Sequence, residues 1–354
     1  MGSSSIGWRQ SNVSGFGTPN NFFATGLETY QGYLYAGTWN DQDSAEVWRT
    51  SDGTSWELFA LPEIFTGTDI YDSQVFDGML YVGRGQYDAG PGGEIWRTNG
   101  ISWEKVVSGG FGNPSNGNVI SFATYSETLY AATQNFAGGA EIWKSSTGDL
   151  GSWTPVHAFG AGATGNGGFI TMEEFGNDLY IGFHRDFLGE LWRTDGLTFT
   201  PVFTDGLGNP SNTAITGLAE FNGQLYLGTR NLDQSGELWR SDDGLAWTNV
   251  FTGGLGNPDN GRLYGLFAHQ DHLYAVFSNT STGAEVWRSS DGETWTQIAT
   301  NGWGDSANDY ADYADHGAAV FQNQIYIGTR NTVEGGEVWV WSLNQVFLPV
   351  ILRE

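Results

Sequence analysis

Apolar and polar residues alternate in short runs along the whole chain, and turn residues end each run after a few positions. The stretch around residue 230 shows the scheme. Ala214 to Phe221 alternates, and Asn222-Gly223 follows as a two-residue hairpin signal. Gln224 to Thr229 reads as the return strand, and Asn231 to Gly236 as a polar loop. Glu237 to Arg240 is a third strand, Asp243-Gly244 a turn, and Ala246 to Phe251 a fourth strand. Gly253-Gly254-Leu255-Gly256-Asn257-Pro258 then leads into the next unit. The four strands are termed A to D, from the inside outwards.

This unit recurs. A phrase of Glu, an aliphatic residue and Trp begins at Glu46, Glu94, Glu141, Glu190, Glu237, Glu285 and Glu337, about 48 residues apart. An aliphatic-Tyr pair precedes each, ending at Tyr35, Tyr81, Tyr130, Tyr180, Tyr226, Tyr274 and Tyr326. Such a period marks a propeller or a solenoid. Four antiparallel strands per period make a propeller blade. The expectation is an all-β, seven-bladed β-propeller forming one domain over residues 6–342. Met1 to Ser5 reads as a polar leader or cloning remnant, and residues 343–354 as a C-terminal tail.

Thirteen of the 16 Trp fall at two repeated positions, in strands C and D, where they suit packing between blades. Trp8 belongs to the strand-D set: Trp8-Arg9-Gln10 before Gly15-Phe16-Gly17 matches Trp295-Thr296-Gln297 before Gly302-Trp303-Gly304. The seventh unit lacks a Trp-bearing strand D. The first segment is therefore expected to complete the last blade and close the ring, which removes exposed sheet edges. The competing candidate for that strand is Val346 to Leu352.

The turn between strands C and D reads Ser241-Asp242-Asp243-Gly244-Leu245-Ala246-Trp247, Ser289-Ser290-Asp291-Gly292-Glu293-Thr294-Trp295 and Thr50-Ser51-Asp52-Gly53-Thr54-Ser55-Trp56. Asp accepts backbone hydrogen bonds across such a turn, Gly permits positive φ, and Trp anchors it. These turns resemble the Asp-box, or BNR, repeat of sialidase-type propellers. The likeness runs through nearly the whole chain at blade level. It implies fold, because such turns are structural and recur in glycosidases, lectin-like binders and assembly propellers. The second unit departs from the pattern with Asn99-Gly100, and the seventh has lost it.

Composition narrows the function classes. The formal net charge is −26, and Lys occurs only at Lys105 and Lys144. Such a surface repels nucleic acid and anionic lipid. No run is long enough to span a bilayer. Absence of Cys excludes a disulfide framework. The expected partner is a glycan or another extracellular ligand, met by a secreted or surface-displayed protein; oligomeric state is open, a monomer being compatible.

Candidate chemistry lies where loops leave strand B or enter strand A, on one propeller face. Asn, Arg and nearby aromatics supply the hydrogen bonds and stacking planes a sugar needs. The candidate ligand contacts are Trp39, Asn40, Asn135, Arg230, Asn231, Asn279, Trp303, Arg330 and Asn331. Repetition over blades would give a lectin-like, multivalent binder. Arg262 also breaks the repeat. The irregular loop before Ala318 carries Asp305, Asp309, Asp312 and Asp315, candidate oxygen ligands for Ca²⁺, the one cofactor considered. A glycoside hydrolase or lyase using acids at the channel mouth is the enzymatic alternative, and a protein-interaction scaffold the third.

Overall fold

The computed structural model describes residues 7–40, 42–62, 68–85, 90–159, 170–185, 187–312 and 317–342. The leader, the tail with Val346 to Leu352, and Asp315 lie outside them.

The chain is all-β. In the fifth unit, strands A to D are Ala214–Phe221, Gln224–Arg230, Leu238–Ser241 and Thr248–Phe251. Each boundary lies within two residues of the expected one. Tyr226 pairs with Arg240 and Leu227 with Trp239, so alternate side chains go to opposite faces. The A strands bulge: Val119 to Ser121, Ile215 to Gly217 and Leu263 to Gly265 each shift register. Such a bulge re-aims one side chain out of the ladder.

Units pack through their flat faces. The strand-B tyrosines Tyr35, Tyr81, Tyr130, Tyr180, Tyr226, Tyr274 and Tyr326 are all buried. Tyr180 meets Gly244 in the next unit's C–D turn, and Tyr226 meets Gly292 likewise. Each turn glycine has φ above +70°, and a Cβ there would collide with the tyrosine hydroxyl. The turn therefore requires glycine twice over. Tyr326 of the last unit makes the same approach to Gly53 of the first.

The first and last described strands pair. Trp8–Gln10 pairs antiparallel with Val338–Ser342, with Trp8 opposite Trp341. Trp8 donates its indole N–H to the Ile298 carbonyl at 2.9 Å and packs on Trp303 and Trp341. One apolar cluster joins Ala24, Leu34 and Ala36 to Phe321, Tyr326 and Val340. The A strands also line one cavity of about 430 Å³: Leu27, Asp72, Phe122, Met172, Leu218, Leu266 and Ala318 come from successive units.

Candidate functional site

A repeated polar relay holds the loops of one face. At the head of strand C, Glu237 Oε2 accepts from Trp239 Nε1 at 2.9 Å and from Asn212 Nδ2 at 2.8 Å. Asn231 Nδ2 in turn donates to Asn212 Oδ1 at 3.0 Å, and Asn231 Oδ1 accepts the Gln234 N–H. The same relay runs Asn40–Asn21–Glu46, Asn135–Asn116–Glu141, Asn279–Asn260–Glu285 and Asn331–Asn308–Glu337. Buried amides require such partners. Asn40, Asn135, Asn231, Asn279 and Asn331 are 0–1 % exposed. They hold the loops in place, with their amides turned to these partners.

Trp303 is also buried. It is 5 % exposed and stacks on Trp339 with centroids 5.5 Å apart. Its φ of +60° is shared by Phe16, Phe111, Leu207 and Leu255 at the same place in other units. Phe16 stacks on Trp48 and Phe111 on Trp143 in the same way. Left-handed backbone costs a non-glycine residue about 1–2 kcal/mol, which the stacked, buried ring offsets. A Gly-apolar-Gly alignment of the loops carries this signal. Trp39 is half-buried, donates to the Ile70 carbonyl at 2.8 Å and packs against Tyr71.

The last residue of strand B varies: Gln134, Arg230, Ser278 and Arg330 end theirs. Arg230 pairs by backbone with Arg262, the first residue of the sixth unit's A strand. Facing residues in an antiparallel pair lie about 4.5–5.5 Å apart at Cα. Among the described residues neither guanidinium has a carboxylate within salt-bridge distance. Arg230 Nη1 donates to Thr213 Oγ1 at 3.0 Å, and Arg262 Nε is buried without a partner. The Arg262 Cζ lies 5.2 Å from the centre of the Tyr310 ring, and the Arg330 Cζ lies 3.9 Å from it. Tyr264, one bulge further along, is 5.5 Å from Tyr310. Burial pushes the Tyr264 hydroxyl upward, against the opposing charges of Arg262, Arg230 and Arg330. That hydroxyl stays neutral over the physiological range.

The structure thus gathers Arg230, Arg262, Tyr264, Tyr310 and Arg330 around the start of the sixth unit's A strand. Arg330 is compensated: Asp309 Oδ1 accepts its Nε at 2.9 Å, and Asp309 Oδ2 accepts its Nη2. Asp305 accepts from Asn331 Nδ2 and the Ala307 N–H, and Asp312 from the Gly317 N–H. Among the described residues no three His, Cys, Asp or Glu are placed to share a metal ion. Arg84 is set apart from Arg230 and Arg330. It lies opposite Glu94 in the register and is buried beside it, 3.8 Å away.

A second set of titratable groups faces the 430 Å³ cavity, further along the A strands. Burial pushes Glu28 up to about 7, opposed by the Thr29 N–H and assisted by the charge of Asp72. Burial likewise pushes Glu173 up to about 7, opposed by the Glu220 N–H and assisted by the Glu220 charge.

No protein-family model matches the chain, and no curated protein matches it by sequence. Solved structures do match. The polysaccharide lyase Uly1 superposes with a TM-score of 0.56 at 12% identity, over 90% of this chain and 89% of the lyase. The β-propeller domain of the trilobed protease from Pyrococcus furiosus gives 0.54 at 10% identity, over 91% of this chain and 96% of that one. An ancestral GH74 enzyme gives 0.59 at 12% identity, over 91% of this chain and 48% of that chain. At these identities the likeness shows the fold, and the chain is a β-propeller.

Proposed function

We propose that this protein is a seven-bladed Asp-box propeller, closed by Trp8–Gln10, that binds carbohydrate outside the cell through its B–C and D–A loop face. The primary site is built from Arg230, Arg262 and Tyr310, and its ligand is a saccharide carrying an anionic group. One observation carries this reading: among the described residues, two guanidiniums on register partners lack carboxylate partners in a chain of net charge −26. Like charges placed opposite each other destabilise a sheet. With 40 carboxylates on the chain, compensation for Arg230 was close to hand, as Asp309 supplies it for Arg330. A ligand oxyanion completes the pair, with bidentate geometry open to each guanidinium.

The ring reading rests on the Trp8–Trp341 pairing, the Tyr326–Gly53 contact and the cavity shared by all A strands. Domain limits of 6–342 follow from it. A broad glycan array, read with calcium and with chelator, tests the function. Retention of uronate-bearing or sulfated glycans, lost in Arg230→Gln/Arg262→Gln, supports the reading. Retention of neutral glycans alone, or none at all, sinks it.

A hydrolase or lyase is the second reading, favoured by Glu28 and Glu173, each pushed up to about 7. Turnover of a polysaccharide panel that disappears in Glu28→Gln or Glu173→Gln would establish it in place of simple binding.

A further inference from the structure

The turns between strands C and D lie at the opposite end of the strands from Arg230 and Arg262. Four successive units carry an exposed aliphatic side chain there. Ile101, Leu150, Leu197 and Leu245, of the second to fifth units, are 50–87 % exposed. Single exposed apolar residues are ordinary on a surface, whereas a grouped set marks an interaction. The turn itself does not ask for them. Asn99, Asp195 and Asp243 accept the backbone N–H of Ile101, Leu197 and Leu245. Asp52 and Asp291 hold Thr54 and Glu293 in the same way, so a polar residue serves the turn equally well.

The four turns are held in order by the units that precede them. Arg49 of the first unit donates to the Gly100 carbonyl at 3.0 Å, and Arg97 of the second to Asp149 Oδ1 at 2.8 Å. Lys144 of the third donates to the Gly196 carbonyl at 2.8 Å, and Tyr180 of the fourth packs on Gly244. Each aliphatic tip therefore stands on a fixed turn, which lowers the entropy lost when a partner covers it. Carboxylates accompany the tips: Asp149, Asp195, Asp242 and Asp243 are exposed. Asp242, Asp243 and Ala246, on either side of Leu245 in the chain, line a cavity of about 220 Å³ with Ser241 and Thr248. Arg240, also at that cavity, is paired with Glu293 at 2.7 Å.

We infer that this arc docks a protein segment that is apolar and cationic at once. Its aliphatic side chains cover Ile101, Leu150, Leu197 and Leu245, and a Lys or Arg enters beside Asp242 and Asp243. Charge complementarity selects this occupant. A second copy of the chain would set the same carboxylates against each other, with a net charge of −26 on each side. The arc is separate from the Arg230–Arg262 site, so the inference goes beyond the carbohydrate-binding reading and does not depend on it.

Fluorescence anisotropy on the full chain tests it, with a labelled amphipathic peptide of Lys and Leu and an oligolysine of equal charge as the probes. The wild type should bind the amphipathic peptide about tenfold more tightly, the scale of burying one leucine. Ile101→Ser/Leu197→Ser/Leu245→Ser should reduce that binding to the oligolysine level at low and high salt, with an unchanged thermal melt. Asp195→Asn/Asp243→Asn keeps the turns, as Asn99 does for its own, and should weaken both probes at low salt but not at high salt. Equal affinity of the wild type for the two probes, or wild-type affinity in the triple Ser variant, overturns the inference. Sedimentation showing a self-associating wild type and a monomeric Ser variant also overturns it, and assigns the arc to a second copy. Arg230→Gln/Arg262→Gln should bind the peptide as the wild type does, so failure of the saccharide site leaves this result standing.

Discussion

Arg230 and Arg262 face each other across the seam between the fifth and sixth units, in register and without a carboxylate partner among the described residues. Repulsion in such a pair lowers stability while the site is empty. Arg262→Gln should therefore leave the melting temperature unchanged or raise it, by about 0.2–1 kcal/mol of stability, while abolishing retention of anionic saccharides. Thermal melts at low and high salt check the sign, since screening should shrink the gain. A marked loss of stability would assign Arg262 a structural role instead.

Glu237 has three hydrogen-bond donors aimed at it: Trp239 Nε1, Asn212 Nδ2 and Asn209 Nδ2. Glu237→Gln sets an amide N–H against one of those donors in either orientation. The expected cost is about 1–3 kcal/mol, read as a shifted urea midpoint. The same change at Glu285, which has the same three kinds of partner, should cost a similar amount.

Glu28 and Glu173 make stability depend on pH. Both carboxyls titrate at about 7 in the fold, above the 4.5 of a free glutamate. Between those values the folded chain holds more protons than the unfolded one, so stability falls as pH rises through the window. Glu28→Gln/Glu173→Gln should remove that slope between pH 4.5 and 7 and stabilise the protein at pH 8 by about 1–3 kcal/mol per site. Equal melting temperatures for variant and wild type at pH 5 and pH 8 would contradict this.

The junction of the chain ends is open to a direct test. Trp8 is 6 % exposed and bridges Ile298, Trp303 and Trp341. Trp8→Ala should cost about 3–5 kcal/mol. Hydrogen exchange should speed up at Val338–Ser342, its strand partner, before it does in the third unit. Uniform exchange in the variant would show that the terminal strand does not seal the last blade.

Much of this architecture was legible in the residues, because packing positions repeat. The Glu-aliphatic-Trp phrase marked every strand C, and Trp8 revealed itself by its match to Trp295. The Asp-Gly turns were readable too: Asp243 Oδ1 accepts the Leu245 and Ala246 N–H groups, as Asn99 does for Ile101 and Ser102. The site was harder. Asn serves equally as a turn residue and as a ligand contact, and only tertiary structure tells which way Asn231 turns its amide. Trp303 looked like a loop aromatic because its counterparts are Phe16 and Leu255, which hide the repeat. Arg230 and Arg262 are 32 positions apart in the chain, and nothing local reveals that they meet at a seam.

The most direct test of the central claim is a crystal of the wild-type protein soaked with a uronate-containing oligosaccharide. The predicted result is a sugar carboxylate between Arg230 and Arg262. A saccharide bound elsewhere, with this site empty at full occupancy of the ligand, would contradict the account.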